Sequence, residues 1–345
     1  MNGATALVIA ISAFAGCAAA TPVMRRLALR WGLTDRPGGH KSHRRPTPYL
    51  GGIAIMLCTV VPPVALAGAA GQRIAGILVG AVAMALLGLI DDIAPLPPPT
   101  RLAVQALAAG VAVTSGVVAP VTGAWPDAPI TLLWIVVVTN SYNLLDNMDG
   151  ALGAVTVVST ALLAAAAFVS GRPEIGLLLA ALSPAALGFL LHNWAPARIF
   201  MGDAGSLFIG FVLASSAALV ITGTGTGTAV AGLLLPTFVA TVDTGIVLLS
   251  RRRAGRPLLQ GGSDHLSHRL HRLGLGKRLT ALALAALAAA AGLADLAMTL
   301  GWIAPAAAAI GGVAAACVAV VLPQRVPVYA PYAPTRPRTS IRVRG

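Results

Sequence analysis

Acidic residues are scarce in this 345-residue chain, where 11 Asp and Glu stand against 24 Lys and Arg. Charged residues of both signs reach only 10% and aromatics 5%, whereas 57% of positions are hydrophobic and mean hydropathy is +0.83. So little charge excludes a soluble globular domain and puts the chain among polytopic membrane proteins. Cysteine is nearly missing too. Cys17, Cys58 and Cys317 all fall inside apolar runs, and no CxxC pair occurs, which excludes a disulfide framework and a cysteine-based metal site. There is no internal repeat, and no shift in composition marks a second domain.

What is present is a series of long apolar runs. Crossing a hydrocarbon core of about 30 Å takes about 20 apolar residues, and such runs occur at roughly 4–22, 49–70, 73–91, 102–119, 129–145, 150–170, 174–192, 206–222, 228–250, 280–298 and 302–322. The expected fold class is therefore all-α, a polytopic integral membrane protein of about eleven transmembrane helices. The first run contains "AFAGC", ending at Cys17, which faintly resembles a lipoprotein cleavage box, but the preceding "MNGATA" lacks a positive n-region. It reads as a retained helix.

Basic residues orient these helices, because cytoplasmic loops carry the excess of Lys and Arg. With the N-terminus outside, the inside segments 24–48, 91–101, 193–205, 251–279 and 323–345 hold seven, one, one, eight and five of them. Only Arg73 and Arg172 remain for the outside. The C-terminus then lies in the cytoplasm, and the net charge of +13 is accounted for by topology and anionic lipid headgroups. Nucleic acid is not an expected partner. Residues 1–322 read as one transmembrane domain, and 323–345, rich in Pro and Arg, as a basic disordered cytoplasmic tail.

The few acids are not scattered. Asp91, Asp92, Asp146, Asp149 and Asp203 all fall where helices meet the cytoplasmic face. An ionised carboxylate at such a place is costly unless paired, metal-bound or set in a wet cavity. Convergence of all five on one cavity is the economical expectation. In "GLIDDIAPLPPPTRLAVQ" the adjacent Asp91 and Asp92 end an apolar helix and Arg101 begins the next; oxygen ligands with few other donors suit Mg²⁺. "NSYNLLDNMDGA" sets Asn140, Asn143, Asp146 and Asp149 at three-residue intervals, roughly along one helix face. In "FMGDAGS" the small residues permit close backbone approach, and a helix starting at Ser206 would favour an anion at its N-terminus.

The last inside loop, "RRRAGRPLLQGGSDHLSHRLHRLGLGKR", gathers His265, His268, Arg269 and His271. Zinc ligation fails for want of suitably spaced ligands; imidazole and guanidinium groups suit a pyrophosphate better. The Arg251–Arg253 run reads as a topological anchor and His192 as a helix-end residue. His40 and His43, in the first inside loop, are open between solvation and substrate contact. A carrier coupled to ions would also use intramembrane acids, but here the acids cluster on one face, and a non-catalytic scaffold would leave the Asp pair and the His loop without a purpose.

Taken in order, "DRPGGHKSHRRPTPYLGG", "DDIAPLPPPTRLAVQ", "NSYNLLDNMDG", "NWAPARIFMGDAGSLFIGF", "PTFVATVDT" and "SDHLSHRL" resemble the polyprenyl-phosphate N-acetylhexosamine-1-phosphate transferases, over about residues 35–272. These membrane enzymes move a sugar-1-phosphate from a UDP-sugar to a lipid phosphate. The branch acting on UDP-MurNAc-pentapeptide carries three consecutive histidines where this chain has "DHLSHRL", so the chain looks like the GlcNAc branch.

That resemblance implies an eleven-helix transferase of cell-envelope glycan synthesis in the plasma membrane, with its active site on the cytoplasmic face. Its substrates would be a UDP-N-acetylhexosamine and polyprenyl phosphate; membrane lipids surround it, and a homodimer is a candidate assembly. It also implies Mg²⁺, with Mn²⁺ as a substitute, bound by Asp203 and with Asp92 as a second candidate ligand. Asp91 and Asp92 match the essential pair, Asp91 being the proposed base on the lipid phosphate. Phe200 and Asp149 would lie by the uracil, Asn143 and Asp146 would shape the nucleotide pocket, and His265, His268 and Arg269 would engage the pyrophosphate or sugar. Arg101 stands where the family usually has lysine, and Asn147 interrupts its usual DGxDG; a left-handed turn at Asn147 would preserve the fold.

Overall fold

A computed structural model describes residues 3–35, 47–67, 71–258 and 262–329. His40 and His43 lie outside the described residues. Among the described residues the regular structure is helical apart from one antiparallel pair of two-residue strands, β1 (Thr34–Asp35) and β2 (Thr47–Pro48). The helices are α1 (Gly3–Arg30), α2 (Gly51–Ala67), α3 (Gln72–Ile93), α4 (Pro98–Thr114), α5 (Asp127–Leu145), α6 (Ala151–Val169), α7 (Pro173–Asn193), α8 (Gly202–Ile221), α9 (Ala229–Leu234), α10 (Phe238–Arg253), α11 (Leu266–Arg272), α12 (Lys277–Thr299) and α13 (Pro305–Val321).

Among the described residues eight helical segments are long and apolar enough to cross a membrane, the last being α13 with the turn that follows it (Pro305–Arg325), and a ninth span forms if the bent pair at 226–253 is counted as one. The run expected as one helix over 228–250 is broken. Pro236 explains the break, since proline removes a helical donor and its ring clashes with the carbonyl four residues back; the two arms meet at 75°. Helices α2 and α4 have 17 residues each.

Helix α8 is the axis of the bundle, with every side chain from Ala204 to Ile221 buried. An apolar helix surrounded by other helices gains little from hydrophobicity in lipid, so close packing of small residues must hold it. A Cβ on Gly52 of α2 would stand 2.2 Å from Gly205 N, and one on Gly88 of α3 would stand 2.3 Å from the Asp203 carbonyl carbon. Gly80 of α3 is filled by the Phe211 ring, and Gly210 of α8 lies against Thr139 and Tyr142 of α5. These contacts press α2, α3 and α5 onto α8 and bring the ends of α3, α5 and α8 to one place.

Residues 323–329, expected as part of the disordered tail, are structured. Leu322–Arg325 form a 3-10 turn, and the backbone through Val328 is bound by side chains of the last loop. Residues 330–345 lie outside the described residues.

Candidate active site

At the C-terminal ends of α3 and α5, the first turns of α4 and α8 bring four of the five clustered acids together. Asp91, in the last turn of α3, accepts a hydrogen bond from the Leu96 amide at 2.7 Å and an ion pair from Arg101 Nη1 at 2.8 Å. The other end of the Arg101 guanidinium, Nη2, lies 3.4 Å from Asp203 Oδ2. Arg101 therefore spans the two carboxylates. From α5, Asn143 Nδ2 donates to Asp203 Oδ1 at 2.8 Å and to Ser206 Oγ at 2.9 Å.

Asp92 plays a different part. Its oxygens accept the amides of Asp203 at 3.0 Å and Ala204 at 3.3 Å, so it caps α8 from a neighbouring helix, where no local side chain does. The expectation of a helix beginning at Ser206 with an N-terminus open to an anion is corrected on both points. The helix begins at Gly202, whose φ of +68° sets the turn, and the orphan amides of its first turn already hold a carboxylate.

Asp146 ends α5 beside this cluster. Burial first, and then the charges of Asp203, Asp92 and Asp149, push its carboxyl up to about pKa 7. Asp91, Asp92, Asp146 and Asp203 thus make a concentration of negative charge, and among the described residues Arg101 is the cation in salt-bridge contact with it. No group of three or more His, Cys, Asp or Glu among the described residues forms a ready-made metal cage. Mg²⁺ does not need one, since it binds through one or two carboxylates together with waters and phosphates. Asp203 is half-buried, its side chain 31% exposed against 7% for Asp91.

A second group, in the last loop, is tied to the turn after α5. Asp243 of α10, buried, receives His265 Nδ1 at 2.7 Å on one oxygen and the Leu266 amide at 2.7 Å on the other. His268 lies beside it, the ring centroids 5.8 Å apart; burial, then the His265 charge, hold its pKa down at about 4. Ser267 bonds Asn147 Oδ1, which ties this loop to the turn after α5. Asn147 is not left-handed, because among the described residues only glycines have positive φ; its amide group instead links Leu144 and Ser267. Gly150, φ +75°, makes the turn.

The remaining expected residues are placed as follows. Asp149 Oδ2 pairs with Lys277 at 3.1 Å and accepts the Ala197 amide at 3.4 Å. Phe200 sits at the junction with the chain entering α2, its amide on the Pro48 carbonyl at 2.9 Å and its carbonyl receiving the Gly51 amide at 3.1 Å. Arg269 is turned away from the Asp203 cluster. Its buried guanidinium donates to the carbonyls of Asp264, Pro323 and Val326, to Ser250 Oγ and to Gln324 Oε1. A planar fork with five donors suits such a set, and the result fastens the C-terminal segment. Arg251 is likewise more than a topological anchor: buried, it grips Asp264 with two contacts of 3.0 and 3.3 Å. Burial pushes the Asp264 carboxyl up, but Arg251, Tyr329 and His265 outweigh it and the net shift is downward. His192, at the end of α7, bonds the Ala18 carbonyl of α1 at 3.0 Å.

Sequence reasoning gave no role to Asp243, Lys277 or Ser267. Asp243 carried a signal, as a lone acid in the apolar string "FVATVDT", but its partner lies 22 positions on.

A cluster of carboxylates at one end of the helix bundle, bridged by one guanidinium, with a histidine loop tied to the adjoining turn, fits an integral-membrane transferase site better than a carrier path through mid-membrane. Comparison with known proteins agrees. The family profile "Glycosyl transferase family 4" matches residues 74–223. A Streptomyces coelicolor chain, whose name assigns it only to the glycosyltransferases, is 39% identical over 99% of this chain and 81% of its own length. A Bacillus subtilis protein named as a probable undecaprenyl-phosphate N-acetylglucosaminyl 1-phosphate transferase is 30% identical over 76% of each. The decaprenyl-phosphate N-acetylglucosaminephosphotransferase of Mycobacterium tuberculosis is 31% identical over 76% of this chain and 75% of its own. The chain belongs to glycosyltransferase family 4, among the polyprenyl-phosphate N-acetylhexosamine-1-phosphate transferases.

Proposed function

We propose that this protein transfers N-acetylhexosamine-1-phosphate, with GlcNAc as the sugar, from a UDP-sugar to polyprenyl phosphate and releases UMP. The observation that carries the reading is the Asp91–Arg101–Asp203–Asn143 chain of contacts at one end of the bundle. In the reaction an oxygen of the lipid phosphate attacks the β-phosphorus, the bond from that phosphorus to the oxygen bridging it to the α-phosphorus breaks, and its electron pair leaves on UMP.

Two anions must meet for this, so charge neutralisation is the main task. Mg²⁺, or Mn²⁺ in its place, held through Asp203 and phosphate oxygens would neutralise charge on the leaving phosphate. Asp92 fixes the Asp203 backbone by capping α8, and Asn143 orients the Asp203 carboxylate. Arg101 reaches a phosphate placed between Asp91 and Asp203. A phosphomonoester has its second pKa near 6, so the acceptor is mostly ionised at neutral pH. Asp91, whose oxygens already accept from Leu96 and Arg101, serves to position Arg101 and the acceptor, not as a strong base. His265, oriented by Asp243, and neutral His268 bind the pyrophosphate or sugar by hydrogen bonding, while Asp146, Asp149 and Phe200 line the nucleotide side.

For topology, the eight long helices, the bent pair and the 17-residue α2 and α4 together supply eleven spans. Lys277, Arg278 and the Arg251–Arg253 run belong to the same end of the bundle as the site, which supports a cytoplasmic active site in a plasma membrane.

The test is UDP-GlcNAc labelled at its β-phosphate, given to the purified protein with polyprenyl phosphate, with UDP-GalNAc and UDP-MurNAc-pentapeptide in parallel. Label in the lipid extract and unlabelled UMP in the aqueous phase support the proposal. Label left in UDP while the sugar enters the lipid would mean glycosyl transfer and would refute it.

A further inference from the structure

Arg73 and Arg172 are the two basic residues that the charge pattern leaves on the face opposite the site, where the positive-inside rule disfavours them. Although far apart in sequence, both line one cavity of about 540 Å³, together with Gly71, Ser115 and Glu174. Arg73 is in the first turn of α3, and Asp91 is in the last turn of the same helix. At 1.5 Å per residue the cavity lies about 27 Å from the carboxylate cluster, so it is no part of the transfer site.

The charges in this cavity are not balanced from within. Among the described residues Arg73 makes neither a hydrogen bond nor an ion pair, and its Nε lies 3.2 Å from where a Cβ on Gly116 would be. Arg172 is half-buried and anchored by donation to the Thr222 carbonyl. Burial first, and then repulsion from Arg73, lower its pKa, with Glu174 opposing. Two guanidiniums therefore line one cavity against one exposed carboxylate. Helices α3 and α7 both begin here without a side-chain cap, which adds to the positive potential.

The cavity is also at headgroup depth, because helix ends mark the membrane interface. Exposed apolar side chains lie nearer the midplane on the two helices whose ends line the cavity: Val79 on α3 and Val111 on α4, the latter one turn before Ser115, are 60% and 40% exposed. Acyl chains of a lipid whose headgroup sits in the cavity would lie against such surfaces.

We propose that this cavity binds the phosphate of a phospholipid headgroup on the membrane face opposite the transfer site. Arg73 is the mobile charged contact, Arg172 the fixed one, and Glu174 accepts from an ammonium or hydroxyl on the headgroup. The same cationic pair would take a free phosphate, so the experiment separates the two sources.

The full chain is purified in detergent, and phosphatidylglycerol retention is measured by native mass spectrometry for the wild type, Arg73→Gln and Arg73→Lys. In parallel, inorganic phosphate is titrated while thermal unfolding is followed. The expected result is a retained phospholipid whose affinity drops about tenfold in Arg73→Gln, the scale of one charged hydrogen bond, and recovers in part in Arg73→Lys. UMP release stays unchanged in both variants, and inorganic phosphate gives no comparable stabilisation. Stabilisation by inorganic phosphate without lipid retention would overturn the lipid assignment. Equal retention by wild type and Arg73→Gln would overturn the site itself.

Discussion

Asn143 Nδ2 stands 2.8 Å from Asp203 Oδ1, a contact between α5 and the first turn of α8 that aims a half-buried carboxylate of the cluster. Removing it should loosen the site without unfolding it. Asn143→Ala is expected to lower kcat for UMP release by about 10- to 100-fold, the loss of a hydrogen bond to a charged group (about 1.5–3 kcal/mol). Asn143→Asp should do worse, since it adds a carboxylate to an already negative cluster. Steady-state kinetics with thermal unfolding as the folding control check both.

Arg101 touches Asp91 and Asp203 with different nitrogens. A lysine ammonium is a point charge and cannot reproduce that fork. Arg101→Lys should therefore retain weak turnover, about tenfold below wild type, and Arg101→Gln should fall further. Equal activity of Arg101→Lys and wild type would remove the bridging role.

His268 is held neutral, its pKa lowered to about 4 by burial and by His265. The unfolded chain, with histidine near 6.5, binds more protons between those values, so stability falls as pH drops from about 6.5 to 4 and is flat above. His268→Gln should lose that part of the acid sensitivity. The melting temperatures of the two proteins from pH 7 to pH 4.5 should diverge; parallel curves would contradict the assignment.

Gly88 admits the Asp203 backbone of α8. A methyl there must push α3 from α8, at a cost of about 1–3 kcal/mol for an overpacked site. Gly88→Ala should lower both melting temperature and UMP release, whereas Gly110→Ala on α4, with open space around it, should lower neither.

The helical spans were legible in the sequence because lipid demands apolar length, a property that any window of residues carries. The grouping of Asp91, Asp92, Asp146 and Asp203 was legible for a related reason: charge is so rare here that its placement stands out. What each side chain does was less legible. Hydropathy says nothing of the direction in which Arg251 or Arg269 points, and both turn to buried partners, Asp264 and the carbonyls of 323–326. Asp92 looked like a twin of Asp91, yet only the packing of α3 on α8 decides that it caps a helix. The break before α10 was signalled by Pro236, but the apolar run on both sides masked it.

In the proposed reaction Asp203 carries the divalent cation and transfer depends on it. UMP release from UDP-GlcNAc and polyprenyl phosphate, titrated with Mg²⁺, should fall on the order of 10³-fold in Asp203→Asn and should not recover at high Mg²⁺. Near-normal turnover of Asp203→Asn in Mg²⁺ would contradict the account.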